Sequence, residues 1–317
     1  MDKFKSIISR NLALRRLSPK LVWVWAACII ILFIYFALKA RTYFWLEIWF
    51  LTEILIISAF TRTVGWKRLL AVFFQGIVLS GTLTFLLYKL LDISGADTNS
   101  AFINGWVIGF SEELFKLLPL ALAIYFLYKK RKTIPNPSDF LILSVMSASG
   151  FSILEKTFWT DINFPLIYGP HLGKLYFFPD ALGIYVDGRV LGYIGHAAAT
   201  GLIGMSIGIA FFLQKKFKKA WVWIIPALIY AWVSVEHALL NAYYEEGIKT
   251  LLKLGGGLAT PWIFLLFLAA VLAIDARNLF AWLKNKPLAA RLLKDKKLFF
   301  FKTLHVFNFL SSVDKGK

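Results

Sequence analysis

The sequence predicts an all-α polytopic membrane protein that crosses the bilayer about eight times, with N-terminus and C-terminus both cytoplasmic. Three observations carry this. The 317 residues are 59% hydrophobic and only 17% charged, outside the range of ordinary soluble domains. The apolar residues gather into runs of about 20, the length an α-helix needs to cross a hydrocarbon core. Lys and Arg cluster in every second connection between those runs, and bases are retained on the cytoplasmic side.

The elements follow in order. A basic segment, residues 1–20 with Lys3, Lys5, Arg10, Arg15, Arg16 and Lys20, precedes the first run, Leu21–Ala40. No small-residue cleavage site follows that run, so it reads as a signal anchor. It carries Cys28, the only cysteine, which excludes an intramolecular disulfide or a thiolate metal cluster. The second run, Tyr43–Phe60, returns to Arg62, Lys67 and Arg68; the third, Leu69–Leu91, leads out to Asp92 and Asp97. The fourth, Ala101–Tyr128, ends at Lys129, Lys130, Arg131 and Lys132, and the fifth is Ser138–Trp159. The longest outer loop, Thr160–Arg189, holds Pro165, Pro170, Pro179, Gly169, Gly173, Gly183 and Gly188, which favour turns over a helix or a strand. The sixth run, Val190–Leu213, reaches Lys215, Lys216, Lys218 and Lys219; the seventh, Ala220–Tyr244, leads to Glu245 and Glu246; the eighth is Leu258–Leu283. A basic amphipathic tail, 284–317, is suited to lying on the cytoplasmic leaflet. The organisation is thus 1–20, a membrane domain 21–283 and the tail. The net charge of +18 is mostly this topology signal: no basic soluble domain exists to bind nucleic acid, and anionic lipid headgroups are the expected counterpart.

Four runs carry ionisable or amide side chains where lipid disfavours them, and such residues usually mark a function. In the fourth, Gly105, Gly109, Glu112 and Lys116 fall on one helical stripe bordered by Glu113, with Lys116 about 40° from Glu112 and about 60° from Glu113. In the fifth, Phe151 and Glu155 lie one turn apart, with Ser144 and Ser147 further along that side. The sixth places His196 above Gly204 and Gly208, a small-residue packing face. The seventh carries His237 and Asn241 one turn apart. With alternating topology and 1.5 Å rise per residue, Glu112 comes roughly 17 Å and His196 roughly 9 Å below the outer end, Glu155 and His237 roughly 6 to 10 Å. All fall in the outer half, so the four polar edges are expected to converge, with a Glu112 or Glu113 carboxylate within about one water of His196 or His237. Glu53, Glu236 and Lys156 read as structural, and His171 and His305 as incidental.

The ordered set Glu112-Glu113-x-x-Lys116, Phe151-x-x-x-Glu155, His196 and His237-x-x-x-Asn241 resembles the PrsW-type branch of the CAAX-protease and bacteriocin-processing (CPBP) superfamily of intramembrane proteases. The similarity covers 101–244, the expected catalytic core. It implies that paired glutamates activate water, with Glu112 the base and Glu113 its orienting partner or the reverse, and that His237 and Asn241 hold the oxyanion. Lys116 and Glu155 stand where the prenyl-protease branch has Arg one position later and His, which argues against prenylated substrates. The resemblance implies a bacterial cytoplasmic membrane, a membrane-anchored protein substrate cut in the outer half of the bilayer, and regulated cleavage of an anti-sigma factor as one such reaction.

The chemistry is coherent on its own terms: peptide hydrolysis needs a base for water, a donor for the leaving amine and donors for the oxyanion. No Gly-x-Ser-x-Gly supports a serine mechanism. The expected enzyme requires no cofactor. Zinc is the alternative, held by Glu155, His196 and His237 with Glu112 or Glu113, an adequate set with one open position. Two readings compete: a proton- or ion-coupled transporter using the Glu/His cluster as a relay, and a scaffold or immunity protein that kept the fold without the chemistry. Oligomeric state is not encoded in any motif.

Overall fold

The computed structural model describes residues 50–131, 135–158, 184–186, 189–191, 194–242 and 259–284, with isolated positions before residue 50. The first expected span and the basic tail beyond residue 284 lie outside the described residues, apart from isolated positions in the former. Of the second span, residues 50–57 are described as helix.

Six long helices form the described bundle. Helix α1 is the continuous Trp66–Ile93, interrupted by a π-helical turn at Gly76–Ser80. Helix α2 begins as a π-helix, Ala101–Ile108, and continues as the α-helix Gly109–Arg131. Helix α3 is Pro137–Phe158, α4 is His196–Phe217, α5 is Ile224–Asn241 entered through a 3-10 turn at Ala220–Trp223, and α6 is Thr260–Lys284. Five of the described segments are long and apolar enough to cross a membrane: Trp66–Ile93, Pro137–Glu155, His196–Phe217, Ala220–Asn241 and Thr260–Phe280. The chain is an integral, multi-pass helical membrane protein.

The burial pattern is the one a bilayer imposes. Large apolar side chains such as Phe85, Leu90, Phe126, Leu228 and Leu266 point outward, while carboxylates, imidazoles and a lysine are buried. Helix α3 is the axis: 94% of its spanning window is inside the protein, against 22% for α6. Small residues let its neighbours approach, since side chains attract each other weakly in lipid and close backbone packing supplies the adhesion. A Cβ on Gly150 would strike the Phe73 carbonyl of α1, and one on Gly204 of α4 would strike the Ser144 hydroxyl. The small-residue face expected on the sixth span is therefore the α4 surface that meets α3.

Two carboxylates fix the start of α3. Asp139 accepts from the backbone N–H of Val64 at 3.0 Å and Asn136 at 3.1 Å, and from Thr63 N at 2.6 Å and Thr63 Oγ1 at 2.5 Å. Asp275 of α6 accepts from Ser138 N at 2.8 Å. Donors at the amino end of a helix lack intrahelical partners, and these contacts satisfy them while tying three segments together.

Two expectations change. The sixth span begins at His196, not Val190, because Gly195 adopts φ +85°, a left-handed conformation that favours glycine and starts the helix there. The preceding residues instead form a short antiparallel hairpin, β1 (Ile184–Val186) with β2 (Arg189–Leu191), pairing Val186 with Arg189. Part of the outer loop expected to avoid strands is thus a strand. Asp187-Gly188 between the two is a dipeptide with a strong hairpin preference.

Candidate active site

His196 is the first residue of α4, Glu155 lies near the end of α3, and His237 is one turn before the end of α5. Glu112, Glu113 and Lys116 lie in α2 just after its π-helical entry, and π-helical turns recur beside functional sites. The glycine stripe brings α2 to α5: a Cβ on Gly105 would lie 2.7 Å from the Ala238 carbonyl, and one on Gly109 would lie 3.3 Å from Ala238 Cα. That contact carries Glu112 and Glu113 to His237.

The four polar edges converge. His237 Nδ1 is 2.9 Å from Glu113 Oε1, and His237 Nε2 is 3.3 Å from Glu112 Oε2. Lys116 Nζ is 2.5 Å from Glu113 Oε1 and 2.8 Å from His196 Nδ1, while His196 Nε2 is 2.9 Å from Glu155 Oε2. The imidazole rings of His196 and His237 stand 4.9 Å apart, edge to face. Glu113, Lys116 and His196 are wholly buried, and Glu112 is 4% exposed.

Donor and acceptor chemistry orders this network. A lysine ammonium only donates, so His196 Nδ1 accepts, its ring proton sits on Nε2, and that N–H donates to Glu155. An ionised carboxylate only accepts, so His237 Nδ1–H donates to Glu113. Thr200, one turn below His196, donates to Glu113 Oε2 at 3.2 Å. Both oxygens of Glu113 are therefore engaged. Glu112 Oε2, in contrast, is buried and makes no hydrogen bond, its approach to His237 lacking the required geometry.

Phe151 explains its place in the motif. Its ring meets His196 edge to face at 5.4 Å, and Lys116 Nζ lies 5.2 Å from its centroid, a cation–π distance. Ser147 donates to the Lys116 carbonyl at 2.6 Å, which pins the α2 backbone to α3.

Asn241 faces elsewhere. Its amide donates to the backbone carbonyl of Asn104 at 3.1 Å, Asn104 Nδ2 returns a bond to the Asn241 carbonyl at 3.4 Å, and Tyr88 of α1 donates to Asn104 Oδ1 at 3.2 Å. One of its two amide protons is engaged there, so Asn241 staples the π-helical entry of α2 to α5. Tyr88, Asn104 and Thr200 are the site neighbours that the motifs passed over. Tyr88, Asn104 and Asn241, joined by hydrogen bonds and partly exposed, form a rim beside the buried cluster. Only Thr200 had a legible signal, four residues after His196 on the same helical stripe.

Of the residues read as structural, Glu236 accepts from Thr260 Oγ1 at 2.6 Å, which itself accepts from Trp232 at 2.7 Å, joining α5 to α6. The Lys156 side chain, His171 and His305 lie outside the described residues.

Three residues of the expected metal set come together, and the fourth, Glu155, stands apart from them. Glu113, His196 and His237 each offer one donor atom, all within 4.8 Å of one another and buried. Glu155 instead stands behind His196, the position from which a carboxylate orients a ligating imidazole. A carboxylate and two imidazoles suit zinc, and the orphaned Glu112 oxygen beside them suits a fourth, open position. The donors fit. The Lys116 ammonium at their focus does not: a monovalent and a divalent cation about 3 Å apart repel by on the order of 10 kcal/mol at an effective dielectric of about 20.

Helical membrane architecture with a buried carboxylate–imidazole centre suits a membrane-embedded hydrolase. The PrsW family of intramembrane metalloproteases matches residues 64–274, more than half of the chain, and the protein belongs to that family. No curated protein and no solved structure shows significant similarity to it.

Proposed function

We propose that this intramembrane protease hydrolyses a peptide bond of a membrane-anchored protein in the outer half of a bacterial cytoplasmic membrane, with Glu112 as the base for water. The supporting observation is the asymmetry of the two glutamates. Glu113 is saturated by Lys116, His237 and Thr200, so it orients and balances charge; Glu112 keeps a buried oxygen without a hydrogen bond, 3.3 Å from His237 Nε2.

In this reading a water bound at Glu112 Oε2 gives its proton to the carboxylate as its oxygen attacks the scissile carbonyl. Glu112 then returns that proton to the departing amine, which balances the hydrolysis. His237, held by Glu113 through Nδ1–H, presents Nε2 to the reacting atoms; as the imidazolium, protonated on both nitrogens, it would donate from Nε2–H to the developing oxyanion. His196 and Glu155 complete the wall, and Lys116 keeps Glu113 ionised away from water. Where a divalent ion is bound, Glu113, His196 and His237 would hold it, and its chemistry is to polarise a carbonyl and acidify water. Anti-sigma factors are the substrate class to test first.

The experiment is cleavage of a single-span reporter in proteoliposomes, with the cut mapped by mass spectrometry. A cut within the outer half of the span or just outside it supports the reading. No cut in any single-span protein, together with ion-driven uptake into the vesicles, would favour transport.

A further inference from the structure

The donors that could hold a metal already share a cation. Lys116 Nζ, with no exposure to solvent, bridges Glu113 Oε1 at 2.5 Å and His196 Nδ1 at 2.8 Å, and those two atoms lie 3.9 Å apart. The other nitrogen of His196 is bonded to Glu155, so Nδ1 is the atom His196 has left for a metal, and the ammonium stands on it. We propose that the Lys116 ammonium and a divalent ion are alternative occupants of one focus formed by Glu113, His196 and His237, so that metal enters only when Lys116 withdraws.

Charge and geometry agree on this. The ammonium and a divalent ion would seek the same carboxylate oxygen and the same imidazole lone pair, and each lone pair serves one cation. Exchange needs no movement of the helix: the Lys116 carbonyl stays bonded to Ser147, and the four-carbon side chain is flexible enough to carry the ammonium away. Zinc is the ion the donor types select, because imidazole and carboxylate together suit it better than they suit magnesium or calcium. Lys116 would then set the threshold zinc concentration at which the site loads. The inference rests on the proposed site only for its location, and metal uptake is read without cleavage, so the two fail separately.

The test is zinc binding by purified full-length protein in detergent, with affinity from a competing indicator and content by elemental analysis after gel filtration. Lys116→Met removes the charge and keeps the length; Lys116→Gln is the second neutral variant should the first fail to elute as a folded monodisperse species. Either should bind one zinc at least about tenfold more tightly than wild type. Adding Glu113→Gln or His237→Ala to the neutral variant should abolish that gain. Equal affinity in wild type and both neutral variants would overturn the proposal, as would a gain that survives Glu113→Gln and His237→Ala.

Discussion

Glu112 and Glu113 are adjacent in sequence yet meet opposite surroundings, because successive residues of a helix point about 100° apart. Glu113 faces the lysine, the threonine and the first nitrogen of His237; Glu112 faces the second nitrogen with an oxygen that makes no hydrogen bond. The sequence contained the types and spacings that build this pair, and the stripe argument left Lys116 able to reach either carboxylate; the structure pairs it with Glu113. It did not contain the tautomers, which depend on partners from α3, α4 and α5. Asn241 shows the same limit. Its spacing from His237 places it on the correct stripe, but the bond that occupies its amide belongs to Asn104, 137 positions away. Asn241→Ala should therefore lower thermal stability by about 1 kcal/mol, the worth of a net hydrogen bond, along with activity. Tyr88→Phe removes the hydroxyl that donates to Asn104 Oδ1, and it should slow cleavage with a loss of stability no larger than that of Asn241→Ala. A Tyr88→Phe enzyme with unchanged cleavage would remove the rim from the site.

Among the elements, α2 is where the sequence reading was closest in content and furthest in form. Gly105 and Gly109 fall on the stripe of Glu112, and they meet Ala238 of α5. The first turns are π-helical, however, and no residue pattern announces a π-turn, because its extra residue is set by what the helix packs against. Similarly, His196 was placed inside a span because apolar residues continue from Val190; the hairpin and the positive φ of Gly195 set the true boundary. The α2–α5 contact predicts a graded response. Gly105→Ala forces a Cβ to 2.7 Å from the Ala238 carbonyl, which must move, whereas Gly109→Ala creates a 3.3 Å contact. Gly105→Ala should cost about 1 to 3 kcal/mol in stability, the range for overpacking, and more activity than Gly109→Ala. Equal effects on melting temperature would argue against this interface.

For the molecule as a whole, hydropathy and basic clusters made the membrane setting readable before any motif, since backbone polar groups in lipid must be satisfied within helices. Orientation follows from the charge distribution alone and is directly testable. In a Cys28→Ala background, Ser94→Cys, exposed just beyond α1, should react with a membrane-impermeant maleimide added to intact cells, while Lys216→Cys, exposed at the end of α4, should react only after lysis. The reverse labelling would invert the protein and move the cut to the inner leaflet. The basic tail, 284–317, lies beyond the family match at 64–274, so a chain ending at Lys284 should keep its cleavage activity in neutral-lipid vesicles.

The central claim is that Glu112 supplies the base and Glu113 the scaffold, and paired glutamine variants measure it most directly. Glutamine keeps the shape and loses basicity. With reconstituted protein and a single-span reporter, Glu112→Gln should abolish cleavage while its yield, gel-filtration profile and melting temperature stay near wild type. Glu113→Gln, which replaces an ion-pair acceptor by an amide beside Lys116, should lower the melting temperature as well. Cleavage by Glu112→Gln at the wild-type rate, with the protein folded, would contradict the account.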